Sequence, residues 1–187
     1  ASLCYKKLSM SKKNSSVNLK DNLKKFKDLF NIFKHFEKNL NKLKTKKFIV
    51  AVSGGPDSLA LTALTKLYSL ENRKKFYYVL INHNVRANSG LEAKKVKNLL
   101  KKFRIKLNII NNTKKITKNV QGEARKIRYE KLINFCKKKN INTIITAHNL
   151  EDQVETFFIR LSRGSGLTGL SSMKTLSKLE KGIYLYR

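Results

Sequence analysis

The sequence predicts an α/β fold, a parallel sheet with helices on both faces, preceded by an amphipathic N-terminal helix. Three observations predict it. Short apolar runs alternate with segments of helical periodicity, the pattern of βαβ units. The run Phe48-Ile49-Val50-Ala51-Val52 has no polar alternation, as in a strand buried on both faces. Directly after it comes Ser53-Gly54-Gly55-Pro56-Asp57-Ser58, a glycine turn between that strand and the apolar helical segment from Leu59.

In chain order, residues 1–16 are polar and rich in Lys and Ser, and read as a loose arm. From Leu19 the apolar positions Leu19, Leu23, Phe26, Phe30, Phe33, Leu40 and Leu43 step by three, four and seven, which marks an amphipathic helix with lysines opposite. Residues 1–45 therefore form a basic arm and an amphipathic helix, and 46–187 the main domain. Residues 48–52 are the first strand and 57–70 the first helix of that domain. Residues 76–81 form a second strand that ends in the polar cluster Asn82-His83-Asn84-Val85-Arg86. Ser89 is expected to cap a helix reaching about Phe103. Residues 107–110 are a third strand, and 120–138 a long helix with Ala124, Ile127, Leu132 and Phe135 inward. A fourth strand spans 141–147, a helix 150–162 and a glycine-rich loop 163–173; 183–186 reads as a further strand. A chain that starts at Ala1 and stops just after that strand is expected to be a piece of a longer one.

Composition narrows the function classes. The chain has 187 residues, 41% of them hydrophobic, enough for one domain with a real core. No apolar run approaches the roughly 18–20 residues of a membrane span, and the Lys-rich start lacks a signal-peptide core. No membrane partner and a cytoplasmic location are expected. The net charge of +30 points to a polyanionic partner, chiefly nucleic acid. Only eight of the 42 basic residues are Arg, so base composition inflates the number. The two cysteines, Cys4 and Cys136, form no Cys-x-x-Cys pair or zinc spacing. Cys136 reads as a small buried apolar residue.

The 53–58 turn has the makings of an anion site. Glycines permit close approach to the main chain, and backbone N–H groups with a helix N-terminus form a positive cradle. Pro56 suits the first helical position, where no N–H is needed. Ser53 and Ser58 add hydroxyl donors. Asp57 would repel a phosphate unless Mg²⁺ bridged the two, a usual ligand set for that ion. No Gly-Lys-Ser/Thr follows, so this is not a Walker loop. The whole Ser-Gly-Gly-x-Asp-Ser pattern resembles the PP-loop of the ATP pyrophosphatases, which cleave ATP between the α- and β-phosphates and transfer AMP to a substrate oxygen.

A second constellation lies at 148–156, His-Asn-Leu-Glu-Asp-Gln-Val-Glu-Thr. Three of the chain's 12 acids fall within residues 151–155. On a helix Asp152 and Glu155 share a face, with His148 one turn before. They could hold Mg²⁺ or position an amine; acids in a first helical turn also simply favour the dipole. His148 could bond a phosphate, polarise a carbonyl or be a core residue. Arg125 and Arg128 could stabilise charge on a transferring phosphoryl group or be surface ion-pair members.

Five pieces together resemble the tRNA(Ile)-lysidine synthase family: 53–58, Asn-His-Asn-Val-Arg at 82–86, Gln-Gly-Glu-Ala-Arg-Lys-Ile-Arg-Tyr at 121–129, 148–156, and Arg-Leu-Ser-Arg-Gly-Ser-Gly-Leu-Thr-Gly-Leu at 160–170. The resemblance covers about residues 46–187. It implies a Rossmann-like PP-loop fold and an ATP-dependent ligase that adenylates the wobble cytidine of the CAU-anticodon tRNA(Ile) and then joins L-lysine to it. It also implies that Ser53, Gly54, Gly55, Pro56, Asp57 and Ser58 bind ATP, and that Asp57 helps to hold Mg²⁺. By the same resemblance Arg128 is tied to catalysis, Asp152 and Glu155 lie near the lysine or metal, and His148 shares their wall. Asn82 stands where the family commonly has an acid, and Glu151 where Asp is common. The family's C-terminal tRNA-gripping domains are expected to lie beyond this chain, and a homodimer stays open. The alternatives are another PP-loop tRNA-modifying enzyme of the cytidine thiolase type, or a non-catalytic RNA-binding relative.

Overall fold

A run such as Phe48–Val52 can be satisfied only at the centre of a sheet, and that is its place. The computed structural model describes residues 24–114, 116, 119–147 and 175–187. Within them the order is α1 (Lys27–Asn41), β1 (Lys47–Ala51), α2 (Pro56–Glu71), β2 (Lys75–Asn82), α3 (Ser89–Lys102), β3 (Leu107–Asn111), α4 (Val120–Lys139), β4 (Thr143–Ile145), β5 (Leu176–Glu180) and β6 (Ile183–Tyr186). The sheet order is β3-β2-β1-β4-β6-β5. β1 pairs in parallel with β2 on one side and β4 on the other, β2 with β3, and β4 with β6. β5 and β6 are antiparallel, with an irregularity between Lys178 and Glu180. The parallel α/β fold is as expected, with an unforeseen antiparallel strand, β5, added at one edge.

Successive residues of β1 face opposite sides of the sheet, and both sides are covered. Ile49 joins Val79, Ile144 and Leu185 under Leu132 and Cys136 of α4. Val50 and Val52 join Tyr78 and Leu80 beneath Ala93 and Leu100 of α3, with Leu59 and Leu61 of α2 alongside. Each such side chain taken from water contributes roughly 1.5–3 kcal/mol. A third cluster, Phe33, Leu40, Phe48, Tyr68 and Ile145, joins α1 to the α2 side. In α4, Ile127, Leu132 and Cys136 are buried, Phe135 packs half-buried against the core, and Ala124 is only partly covered. Burial pushes the Cys136 thiol up to about 12, which fits its reading as an inert apolar residue.

Three expectations need correction. α1 buries Phe33 and Leu40, but Phe26, expected on the same apolar stripe, precedes the helix and is 42% exposed. The residue before α3 is Asn88, and no side chain caps this helix; Ser89 is its first residue. β4 is three residues, Thr143–Ile145, rather than seven; the bond from Thr146 N–H to the carbonyl of Tyr186 at 3.0 Å is a rung of its ladder with β6, which itself ends at Tyr186. The 1–16 arm, Leu19, Leu23, Cys4, the 150–162 helix and the 163–173 loop lie outside the described residues.

One fastening was not foreseen. Lys74 Nζ donates to the carbonyls of Leu40 and Leu43 at 3.0 and 2.9 Å, occupying acceptors at the C-terminal end of α1. Its ammonium also lies 5.6 and 5.7 Å from the ring centres of Phe48 and Tyr68. Burial lowers the Lys74 pKa accordingly.

These contacts set the expected cost of cutting into the core. Leu132 is fully buried, and Leu132→Ala is expected to cost about 2–5 kcal/mol in urea unfolding. Leu91 is 58% exposed, and Leu91→Ala is expected to stay within about 0.5 kcal/mol of the parent.

Candidate nucleotide-binding site

Where the order of a parallel sheet reverses, the loops at the carboxyl ends of two adjacent strands diverge and leave a crevice. Here the reversal falls between β1 and β4. The 53–58 turn leaves the carboxyl end of β1 at that point, so topology alone places it at a ligand position.

The turn is built around one glycine and one serine. Gly54 has φ +91, in the left-handed region, and a Cβ there would sit 2.9 Å from Val96 Cγ2 of α3. Both backbone and packing demand glycine. Gly55 is different: its φ is −72 and ψ 165, ordinary extended values, and a Cβ would meet only Ser53 Oγ at 3.6 Å. The expectation that both glycines take special angles therefore holds for Gly54 alone. Pro56 opens α2, with Asp57 exposed in its first turn. Ser58 is buried, and its Oγ accepts from Ser53 N at 3.2 Å, Gly54 N at 3.1 Å and Ser53 Oγ at 3.0 Å. It donates to Gly55 O at 2.9 Å. Ser58 thus folds the loop onto the helix and is not an outward donor. Ser53 is exposed at the mouth. The positive end of α2 and its first-turn N–H groups supply the field that favours an anion.

The adjacent wall is a set of asparagines that sequence reasoning did not assemble. Asn82 is buried; its Nδ2 donates to Asn111 Oδ1 at 3.2 Å and its Oδ1 accepts from Asn84 N at 3.1 Å. Asn84, at φ 53, donates through Nδ2 to Asn112 O at 2.7 Å. Asn112 Nδ2 donates to Lys114 O at 2.6 Å. An amide at 82 can both donate and accept, whereas an ionised acid could only accept. The available signal was asparagine recurring at the ends of two adjacent strands, 82–84 and 111–112.

His83 lies beside this network, half-buried, and both ring nitrogens are shielded from solvent without a hydrogen-bond partner. Burial lowers its pKa, and the positive charges of Arg128 and Lys131 lower it further. Those two charges place the middle of α4 near the end of β2, so Arg128 and His83 belong to one neighbourhood. Arg128 is exposed as a residue, yet enough protein surrounds its guanidinium for desolvation to lower its pKa, with Arg125 pulling the same way and Tyr129 opposing. Arg125 itself lies 5.4 Å from the Tyr129 ring centre. His148, Asp152 and Glu155 lie outside the described residues. Among the described residues there is no ready-made group of three His, Cys, Asp or Glu ligands for a metal. Asp57 beside an incoming phosphate nevertheless fits Mg²⁺, which is held by one or two carboxylates plus substrate phosphates.

Fold and loop define the class: an α/β protein with a glycine turn leading into a helix N-terminus at the switch point of its sheet. Residues 29–187 match the PP-loop domain family, and the chain belongs to it. It is similar to the tRNA(Ile)-lysidine synthase of Orientia tsutsugamushi, at 42% identity over 127 residues, 67% of this chain and 29% of that protein. The Wolbachia pipientis wMel synthase is 42% identical over 141 residues, 74% of this chain and 32% of that one. That of Rickettsia bellii is 34% identical over 146 residues, 75% and 34% respectively. The chain thus spans about a third of the length of these relatives. Among solved structures, the U34-tRNA thiolase NcsA from Methanococcus maripaludis with its [4Fe-4S] cluster shares the fold, with a TM-score of 0.65 at 18% identity over 83% of this chain and 59% of that one.

Two outcomes test the site. Gly54→Ala is expected to destabilise the chain by about 1–3 kcal/mol in thermal unfolding, while Gly55→Ala melts near the parent temperature. For His83, a folded-state pKa below the unfolded value favours the neutral ring. Its stabilising contribution is present above the unfolded value of about 6.5 and is lost as pH falls through the folded pKa. The stability of the parent relative to His83→Gln should therefore decline on acidification below about pH 6.5, as read by urea titrations at several pH values.

Proposed function

We propose that this chain carries the adenylating site of a tRNA(Ile)-lysidine synthase. The observation that carries the reading is the Ser-Gly-Gly-Pro-Asp-Ser loop at the β1–β4 switch point, in a chain whose relatives bear that name. The substrates are ATP, the CAU-anticodon tRNA(Ile) and L-lysine. The cytidine C2 carbonyl oxygen attacks the α-phosphorus, and pyrophosphate leaves. The lysine amine then attacks C2, loses its proton, and AMP leaves with the oxygen. The wobble base is thereby changed, and with it the identity of the tRNA.

The residues divide the work by position. The positive N-terminal end of α2 holds the phosphates, with Ser58 keeping the turn in shape. Asp57 would hold Mg²⁺ against those phosphates, where the ion supplies charge neutralisation as pyrophosphate departs. Arg128 offers fixed positive charge to the transferring group, and a neutral His83 beside it adds no second cation. On sequence resemblance Asp152 and Glu155 receive the lysine ammonium or the metal, and His148 acts with them. All substrates are small molecules or tRNA of the cytoplasm, which is where the reading places the protein. No helix among the described residues is long and apolar enough to cross a membrane. A thiolase would call on an accessible sulfur; among the described residues the one cysteine, Cys136, is fully buried with its thiol pushed up to about 12, and Cys4 lies outside them.

The decisive experiment is mass spectrometry of anticodon fragments after incubation of CAU-anticodon tRNA(Ile) with ATP and lysine. Asp57→Ala is expected to retain the fold and to lose Mg²⁺-dependent pyrophosphate release by at least about 100-fold, within the range seen for loss of one electrostatic group. Release near the parental rate in a folded Asp57→Ala protein would remove Asp57 from the site. Asp152→Asn and Glu155→Gln are expected to block lysidine formation with little change in Tm; if both simply unfold, those acids serve the helix and not the reaction.

A further inference from the structure

The amino ends of the strands carry a second concavity. A cavity of about 510 Å³ opens between the C-terminal end of α2, the turn into β2 and the turn from α3 into β3. The 16 residues of α2 separate it from the phosphate loop by about 24 Å at 1.5 Å per residue. Six cationic residues line it: Lys66, Arg73, Lys74, Lys75, Arg104 and Lys106; no carboxylate does. Lys74 is committed to the end of α1. The other five have no ion-pair partner among the described residues. Like charges gathered around one hollow repel each other unless an anion enters.

Arg104 supplies an independent observation. It follows α3 at φ 56, in the left-handed region. Its N–H bonds Lys101 O and that of Ile105 bonds Leu100 O, both at 3.0 Å. This is the helix ending in which glycine is the usual residue, because a side chain is strained there. The chain instead places a guanidinium at that position, on the rim of the cavity.

The floor of the cavity limits what can bind. Phe76 is stacked on Phe48 at 5.1 Å between ring centres, and Tyr78 is buried. With no open aromatic face for a base, the contacts on offer are to phosphate. We propose that this cavity is a binding site for the phosphodiester backbone of RNA, separate from the nucleotide site and blind to sequence. The inference goes beyond the proposed function and rests on it only for the choice of tRNA as the probe.

The test is fluorescence anisotropy of a labelled CAU-anticodon tRNA transcript titrated with the whole chain at several salt concentrations. Arg104→Glu/Lys106→Glu is expected to weaken binding at least tenfold and to reduce the salt slope by about two, one for each phosphate no longer neutralised. Lys178→Glu/Lys181→Glu makes the same charge change on the exposed β5–β6 hairpin and is expected to weaken binding less than threefold. Arg104→Gly is expected to weaken binding at least threefold while Tm holds or rises, since glycine relieves the left-handed strain; this arm decides the matter if the double variant is poorly folded. Equal weakening by the two double variants, or unchanged affinity in Arg104→Gly, would overturn the proposal and leave only a diffuse field. Absence of lysidine formation by the parent chain would sink the proposed function, while these binding differences would still decide the cavity.

Discussion

The structure depends on the position of β1. Hydrogen bonds from β2 and β4 hold it on both edges, and apolar layers hold it on both faces. A strand confined in four directions leaves its chain one exit, past its carboxyl end and sharply into a covering helix. Gly54 makes that turn because its φ of +91 and the 2.9 Å approach of Val96 exclude a side chain. The phosphate loop is thus a consequence of how the central strand must end. The positive end of α2 faces the crevice for the same reason.

The two ends of the sheet solve different electrostatic problems in a chain of net charge +30. At the carboxyl ends, neutral amides of Asn82, Asn84, Asn111 and Asn112 tie β2 to β3, and His83 is driven towards its uncharged form by burial and by Arg128. Arg128 and Lys131 are the positive charges that act on His83 there. At the amino ends, cations gather around a cavity without a lining acid. Lys74 shows how context assigns roles within such a cluster: it lies in the same wall as Arg73 and Lys75, yet its ammonium fastens α1.

The likeness to a tRNA thiolase at 18% identity shows how little of the chemistry the sheet itself decides. Fold supplies a crevice and a positive helix end; the reaction is set by the residues placed around them. For this chain we propose Asp57, Arg128 and His83 among the described residues, and His148, Asp152 and Glu155 on sequence resemblance alone.

Sequence alone determined the α/β class, the central strand, the glycine turn after it and the burial of Cys136. Each follows from local pattern: an unbroken apolar run, a glycine turn before a helix, a cysteine in no Cys-x-x-Cys pair or zinc spacing. Tertiary structure decided what depends on neighbours distant in the chain. It separated Gly54, which must be glycine because of Val96, from Gly55, which need not be. It turned Ser58 inward, and it joined asparagines about 30 positions apart into one network. It added β5 as an antiparallel edge and brought Arg73 and Arg104 to one cavity. Strand pairing and side-chain packing set these features across long sequence separations, and no periodicity in a single segment encodes them.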